Sequence, residues 1–270
     1  MSERAREILF VTSFSPDLYR ASGHTLLESF QTARQRGRIL SCYEGTRPTD
    51  HRGKAYEYYN LDKDAFLHDW LTANKDVIPK HLGGTTEMCS CRDAHERHSR
   101  FHVKGCYWSW SNRNASRWFR KVASLRQAAV RAAELGTPWL VWLDSDTYFV
   151  KELPVSYLQE KLRGVALFYF QGHRDATESG ILGFHLEQGG RAFIDALCQR
   201  YTSRDYLKYT HWDDGYQIGK LIDEGVAPAL DLVHPTKWHR KTNDVIPTTD
   251  IKEYLCHKKG LHGRYMGIML

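Results

Sequence analysis

The sequence predicts an α/β fold in which helices flank a mostly parallel sheet. Apolar runs of strand length alternate with stretches that have the apolar spacing of helices, and Gly or Pro separates them. Of the 270 residues, 41% are hydrophobic, enough for one large core or two modest ones, while 26% are charged. This balance excludes a disordered or collagen-like chain. No apolar run approaches the roughly 20 residues of a membrane span, so no transmembrane segment is expected.

The first 45 residues predict a strand–helix–strand unit. Ile8 to Val11 has the composition of a buried strand. Ser22 is expected to cap a helix that runs to about Gly37. Residues 38–43 form the second predicted strand, so the unit is expected to be a right-handed βαβ with parallel strands.

Residues 46–116 are interpreted as an insertion or lid within a single catalytic domain that spans 1–270. A helix is predicted over 62–75 from its apolar face. The stretch 79–114 has little periodicity and is rich in Gly, Cys, His, Arg and Trp.

The second half of the chain has the clearest periodicity. Ser116 is expected to cap a helix over 117–135 that Gly136 ends, and a buried strand follows at 139–143. The remaining predicted elements are strands at 165–170, 181–185 and 229–233 and helices at 188–201 and 213–224. Together these elements account for the predicted sheet.

The positive charge is concentrated in one segment. The chain carries a net charge of +6, and residues 92–131 contain ten Lys or Arg against two acids. That window is therefore +8 and the rest of the chain −2. Such a segment either faces an anionic partner or is a well-solvated helix face.

The cysteines and histidines suggest a possible zinc site. No secretory signal is recognisable at the N-terminus, so a cytoplasmic protein with reduced thiols is expected. Cys89, Cys91, His95, His98 and Cys106 offer enough N and S ligands for a tetrahedral structural Zn²⁺. Their spacing matches no standard zinc finger, and the alternative is a set of thiols and imidazoles scattered through a basic loop.

Two carboxylates follow the predicted strand 139–143, at Asp144 and Asp146. Ligands of open α/β sheets bind beyond the carboxyl ends of the strands. Two neighbouring acids disfavour joint ionisation, and a hard divalent cation such as Mg²⁺ or Mn²⁺ that bridges to substrate phosphates would relieve the conflict. The alternative is a strand end with two solvated acids.

The stretch 117–146, a helix followed by Trp142-Leu143-Asp144-Ser145-Asp146, resembles the D-x-D core of GT-A glycosyltransferases. The likeness is greatest to glycogenin-like and bacterial galactosyltransferase enzymes, and it extends to phage enzymes that glycosylate DNA bases. Three further segments resemble the family in the same order, namely 178–184, 212–217 and the H-x-x-G segment 257–260. The lysine–proline–tryptophan that usually follows H-x-x-G is absent, which makes His262 a rival to His257 as metal ligand.

The resemblance implies a GT-A fold that uses Mn²⁺ or Mg²⁺ and a nucleotide sugar, most often a UDP-sugar. The implied metal ligands are Asp144, Asp146 and either His257 or His262. The implied nucleotide-sugar contacts are Thr12, Ser13, Phe14, Lys121, Arg126, Ser145 and Lys259. For the cations of the helix before D-x-D, a solvated helix face is the alternative reading.

An inverting transferase needs a carboxylate base for the acceptor hydroxyl. Asp213 and Asp214 are the first candidates and Glu178 is the next, although Asp213 is equally suited to cap a helix. Retaining chemistry stays open. The candidate acceptor contacts are Ser179, Gly180, Trp108, Trp110 and Trp212.

The acceptor itself is suggested by the basic window. Aromatic residues interleaved with cations are typical of nucleic-acid surfaces, which favours a hydroxymethylated pyrimidine in DNA. The alternative acceptor is a bacterial lipid-linked or surface glycan, because an anionic lipid surface also attracts basic segments. A hypothesis of another class is a zinc-stabilised nucleic-acid-binding module without catalysis, against which the D-x-D strand argues.

Overall fold

The computed structural model describes residues 7–75, 115–171, 177–209, 211–233 and 245–257. Seven strands form the central sheet in the order β3-β2-β1-β4-β7-β6-β8, and β7 alone among them runs antiparallel to its neighbours. The strands are β1 Ile8–Phe14, β2 Gly37–Tyr43, β3 Tyr56–Asn60, β4 Trp139–Leu143, β5 Thr147–Phe149, β6 Leu167–Gln171, β7 Thr177–His185, β8 Ala229–Asp231 and β9 Leu255–His257. The predicted α/β fold with a mostly parallel sheet is confirmed.

Helices cover both faces of this sheet. They are α1 Pro16–Leu18, α2 His24–Thr32, α3 Ala65–Ala73, α4 Ala115–Leu135, α5 Val155–Lys161, α6 Gly190–Thr202 and α7 Asp214–Asp223. One apolar cluster packs α3, α4, α6 and α7 against one face, where the Trp70 and Phe119 rings stack 4.1 Å apart. A second cluster packs α2 and α5 against the other face. In the described part of the chain, no helix combines the length and apolarity that crossing a membrane requires.

The first strand–helix–strand unit forms as predicted in its order, and β1 pairs with β2 in parallel. The predicted helix start at Ser22 is wrong, because the helical path begins six residues earlier at Pro16. Ser15 caps it by accepting a hydrogen bond from the Leu18 backbone. Ser22 lies in a π-helical turn between α1 and α2, where it is buried and its hydroxyl contacts that of Ser145.

Residues 46–75 contain two regular elements of the main fold. Strand β3 extends the sheet beyond β2 and was not predicted, since its sequence Tyr-Glu-Tyr-Tyr-Asn lacks an apolar run. Helix α3 confirms the predicted helix in a shorter form, with Asp64 as its N-cap. The rest of the proposed insertion, from 76 to 114, lies outside the described residues.

A two-stranded antiparallel sheet of β5 and β9 stands beside the main sheet. Thr147 of β5 pairs with His257 of β9, although the two residues are far apart in the chain. Three-residue strands carry almost no periodic signal, and neither was predicted. The pairing has a direct consequence for the site described below, because it carries the C-terminal segment to the end of β4.

Close packing between β6 and β7 depends on a glycine. A Cβ atom at Gly183 would lie 2.1 Å from Cε1 of Phe168, whose ring covers the glycine. The Gly183→Ala variant should therefore lose about 1–3 kcal/mol of unfolding free energy through overpacking. Denaturant titration measures this loss, with the exposed Gln31→Ala as a control expected to stay within about 0.5 kcal/mol of wild type. Equal stability of both variants would contradict the packing described here.

Candidate active site

The candidate site lies at the carboxyl edge of the parallel strands. Because β1, β2 and β4 run in parallel, the loops that follow all three emerge at the same edge. Asp144 and Asp146 directly follow β4, in a tight turn closed by a 3.0 Å hydrogen bond from the Thr147 backbone to the Asp144 carbonyl. This is the edge at which open α/β sheets bind ligands.

Asp144, Asp146 and His257 form a potential metal-binding cluster. Each offers one ligand atom, and these atoms lie within 4.8 Å of one another. His257 Nε2 is 3.0 Å from Asp146 Oδ1, and the imidazole is almost fully buried at 4% exposure. The β5–β9 pairing brings His257 here, so this residue of the H-x-x-G segment meets the D-x-D carboxylates.

Gly180 of β7 makes room for the histidine. A Cβ atom at this position would lie 2.7 Å from Cε1 and 2.9 Å from Nε2 of His257. Its carbonyl accepts a 2.7 Å hydrogen bond from the Asp144 backbone, which ties the D-x-D turn to β7. A glycine is therefore required where the imidazole passes β7.

The charge of the cluster acts on the histidine. Burial by itself would lower the pKa of His257, but the hydrogen bond to Asp146 and the nearby carboxylates of Asp144 and Glu178 raise it overall. The shift shows that the surroundings of this imidazole favour positive charge. A cation bound among the same carboxylates would meet the same demand.

Lys121 of α4 is the buried cation of the site. Its ammonium lies 2.9 Å from Asp144 Oδ1 and 2.6 Å from Asp214 Oδ2. It also donates to the backbone carbonyl and the hydroxyl of Ser179, at 3.0 and 3.1 Å. Burial alone would lower the pKa of Lys121, but the Asp144 and Asp214 carboxylates raise it, so the ammonium stays charged.

The two acids at the start of α7 have different surroundings. Asp214 is 1% exposed and is paired with Lys121. Asp213 caps α7 through a 2.9 Å hydrogen bond from the Tyr216 backbone, and its side chain is 22% exposed. Partial burial, with help from the neighbouring Asp214 charge, raises the pKa of Asp213 to about 6. Asp213 is thus both the helix cap and a solvent-accessible carboxylate with a pKa near neutrality.

Glu178 and Ser179 connect these acids to the metal-binding cluster. Glu178 Oε1 accepts a 3.2 Å hydrogen bond from the Gly180 backbone. It also borders the space beside Gly180 that the His257 imidazole occupies. A Cβ atom on Gly215 would lie 3.5 Å from Asp213 Oδ1 and 3.6 Å from Ser179 Oγ. Strand β7 therefore connects the potential metal-binding cluster to the start of α7.

A pocket of about 220 Å³ opens at the same edge of the sheet, at the ends of β1 and β2. Its lining consists of Phe14, Pro16, Tyr19, Arg20, Glu44, Thr46, Arg47, Pro48, Thr49 and Asp50. The Tyr19 hydroxyl donates to Asp50 at 3.0 Å, and the Arg47 guanidinium lies 4.5 Å from the Tyr58 ring centre. Aromatic surface, hydroxyls and carboxylates thus meet in one cavity.

Ser22 and Arg120 join the pocket to the acidic turn and to α4. The Ser22 hydroxyl lies 3.3 Å from the hydroxyl of Ser145, the middle residue of the D-x-D sequence. Arg120 donates to Glu44 of the pocket wall at 2.7 Å. Neither link was predicted, because each joins residues that are far apart in the sequence.

Some residues expected to bind the nucleotide sugar lie elsewhere. Phe14 lines the pocket, but Thr12 is fully buried in β1, and neither it nor Ser13 belongs to the lining. Arg126 lies over the Phe66 ring at 4.6 Å, on the side of α4 that faces α3. Thr12 and Arg126 therefore lie outside the lining of this pocket, and their binding of a nucleotide sugar stays a prediction.

The expected acceptor residue Trp212 also has structural contacts. Its indole donates to the Tyr209 carbonyl at 3.0 Å, and its own carbonyl accepts from the Tyr201 hydroxyl at 2.7 Å. Its ring packs edge-on against Tyr206. Among the expected acceptor contacts that the structure describes, Ser179 and Gly180 lie among the acids.

The described part of the basic window is largely neutralised within the fold. Arg120 pairs with Glu44, and Arg131 pairs with Glu57. Lys121 is enclosed by carboxylates, and Arg117 lies over the Trp118 ring. Three of the five described cations of α4 are therefore paired with carboxylates, while Arg117, which is exposed, and Arg126 lie over aromatic rings.

Several expected site residues lie outside the described residues. They are Cys89, Cys91, His95, His98, Cys106, Trp108, Trp110, Lys259 and His262. The zinc cluster and the choice of His262 as an alternative ligand stay predictions.

Sequence reasoning missed most of the pocket. Tyr19, Glu44, Arg47 and Asp50 occupy the segments that follow β1 and β2, and none belongs to a short motif. The available signal was positional, since residues just beyond the carboxyl ends of parallel strands share one edge. Trp142 belongs to the D-x-D segment, but the 2.8 Å hydrogen bond that its indole donates to Asp144 Oδ1 was not predicted.

No family model matches the chain, and no curated protein matches its sequence. Three solved structures resemble its fold at low sequence identity. The structure of mouse xyloside xylosyltransferase 1 shares 11% identity over 84% of this chain and 85% of its own, with a TM-score of 0.46. The bifunctional glycosyltransferase WbbM shares 13% identity over 94% of this chain and 46% of its own, with a TM-score of 0.48. A glycosyltransferase involved in glycosylation of the PBCV-1 major capsid shares 13% identity over 94% of this chain and 95% of its own, with a TM-score of 0.46.

Proposed function

We propose that this chain is a metal-dependent glycosyltransferase that moves a sugar, a hexose in the simplest case, from a nucleotide donor to an acceptor hydroxyl. The observation that carries the proposal is the convergence of Asp144, Asp146 and His257 at the sheet edge, next to the pocket beyond β1 and β2. A nucleotide diphosphate needs this combination, with a cavity for the nucleoside and a cation site for the diphosphate.

The residues of the cluster fit a divalent cation. Two carboxylates and one imidazole lie within reach of a single ion, and the missing side chain of Gly180 leaves space for the imidazole. Carboxylate oxygens suit Mg²⁺ and Mn²⁺, and the added imidazole favours Mn²⁺ of the two. When bound, the cation would neutralise the negative charge that develops on the departing diphosphate.

We propose that the nucleoside occupies the pocket lined by Phe14, Tyr19 and Asp50. Its aromatic surface suits a base, and the Asp50 and Glu44 carboxylates suit N–H and O–H donors of a base or ribose. The Ser22–Ser145 contact links the D-x-D turn to the helical turn that contains the lining residue Tyr19. A UDP-sugar is the donor to test first.

Asp213 is proposed as the base. In transfer with inversion, the acceptor oxygen forms a bond to the anomeric carbon while the bond from that carbon to the diphosphate oxygen breaks. The acceptor O–H proton then passes to a carboxylate. Asp213 is suited to this task because it is partly exposed, whereas Asp214 is enclosed and paired with Lys121. Glu178, beside His257, is the candidate carboxylate if the reaction retains configuration.

The acceptor proposal depends on the basic window. A hydroxymethylated pyrimidine in DNA needs cations that face the nucleic acid. The described cations of α4 are directed to partners within the fold, so they add no support for DNA over a lipid-linked or surface glycan. The donor side of the reaction does not depend on this choice.

The metal-binding carboxylates give the first test. The Asp144→Asn/Asp146→Asn variant should lose Mn²⁺-dependent hydrolysis or transfer from a UDP-sugar by about 10²–10³-fold, because stabilisation of the leaving charge is lost. It should also lose the rise in melting temperature that Mn²⁺ plus UDP produces in the wild type, since a ligand that binds only the native state stabilises it.

Asp195→Asn is the matched control, since Asp195 is exposed and pairs only with Arg191 of the same helix among the described residues. It should behave as wild type in both assays. Full metal-dependent turnover in the double variant would contradict the proposal.

The pKa of Asp213 gives a second test. A base acts in its deprotonated form, so kcat/KM should rise as the pH increases through about 6 and then level off. Asp213→Asn should lower kcat by about 10²–10⁴-fold and remove this limb of the pH profile. Asp223→Asn, at the exposed far end of α7, serves as the control. An unchanged limb in Asp213→Asn would exclude Asp213 as the base.

A further inference from the structure

The ammonium of Lys121 is fully engaged by protein oxygens. Four acceptors surround it, namely Asp144 Oδ1, Asp214 Oδ2 and two oxygens of Ser179, at distances between 2.6 and 3.1 Å. An ammonium has three N–H donors and no acceptor, so these contacts use all of its hydrogen-bonding capacity. The side chain is 7% exposed, and its ammonium lies 5.0 Å from the Trp142 ring centre.

A donor sugar or phosphate could bind this ammonium only by displacing one of its partners. Displacement of Asp214 would leave a carboxylate that is 1% exposed without its counter-charge, which is costly. Displacement of Asp144 would also break the alignment in which Lys121 and the Trp142 indole share Asp144 Oδ1. The resemblance implied that Lys121 contacts the nucleotide sugar. The geometry does not favour such a contact.

The three partners of Lys121 belong to three different elements. Asp144 follows β4 on the metal-binding side, Ser179 lies on β7, and Asp214 is the first residue of α7. The residue before Asp214 is the proposed base Asp213, which caps the same helix. One buried charge thus connects the metal-binding turn to the helix start that carries the base.

We infer that Lys121 is a positioning residue, which fixes the base-bearing start of α7 relative to the metal-binding turn and contacts no substrate. This inference rests on the proposed function for its catalytic meaning, but the structural link itself does not. Loss of the ammonium should lower the rate of the chemical step through Asp213. It should leave the binding of the nucleotide sugar nearly unchanged, because the pocket beyond β1 and β2 is separate.

The structural link is tested first, in metal-free protein treated with EDTA. Lys121→Met should lower the melting temperature by about 10 °C, because it leaves Asp214 buried and uncompensated. The double variant Lys121→Met/Asp214→Asn removes that charge and should recover more than half of the loss. Additive effects of the two substitutions would overturn the link. If Lys121→Met alone does not fold, recovery of a folded protein in the double variant supports the link, and failure to recover overturns it.

The catalytic part is tested by steady-state kinetics with Mn²⁺ and a UDP-sugar. Lys121→Met should lower kcat at least 100-fold while the donor KM changes by less than about threefold. A donor KM raised tenfold or more with kcat maintained would overturn the inference, because it would show a direct substrate contact. Lys220→Met, whose ammonium pairs with Asp223 at the far end of α7, is the matched control and should leave both parameters unchanged. If the wild type turns over no sugar nucleotide, the proposed function fails, while the metal-free comparison still decides the structural link.

Discussion

The crowding of negative charge at one sheet edge is the constraint on which the rest of this site depends. Four carboxylates lie at or near this edge, those of Asp144, Asp146, Asp213 and Asp214. Like charges that lie close together disfavour joint ionisation. Lys121 compensates one carboxylate from each pair. Asp146 lies 3.0 Å from the His257 imidazole, and a cation bound there would balance further negative charge of the cluster. The site is thus divided into a half closed by a lysine and a half suited to a metal ion.

The fold was predictable because its elements are long and regular. Strand β4 is an unbroken apolar run, β1 begins with one, and α4 has a clear apolar face, so their order alone indicated an α/β sheet. Pieces without such a run were not predictable. Strands β5 and β9 have three residues each, and β3 presents polar and aromatic residues without an apolar run. Their existence depends on pairing partners, and a single sequence does not reveal those.

The residues of the candidate site also differ in how far they could be predicted from the sequence. Asp144 and Asp146 were visible because they directly follow a strand, and His257 was visible through a short C-terminal motif. The role of Lys121 was not visible, because it follows from oxygens of three distant residues that converge on one ammonium. Arg126 and Lys121 are equivalent as letters in a basic helix. Their positions on the helix separate them, since one faces α3 and the other faces the acids.

Because the pairing of β5 with β9 brings its residues together, the candidate metal site depends on the folding of the whole domain. His257 and Asp146 are separated by 111 positions in the chain, so their contact closes a very long loop at a considerable entropic cost. Before β9 docks, the chain has only the two carboxylates of the cluster. Affinity for the ion should therefore be acquired late in folding, and an early cation bound by the carboxylates alone would be held weakly. An ion bound by all three residues would in turn stabilise the contact between β9 and the turn that follows β4.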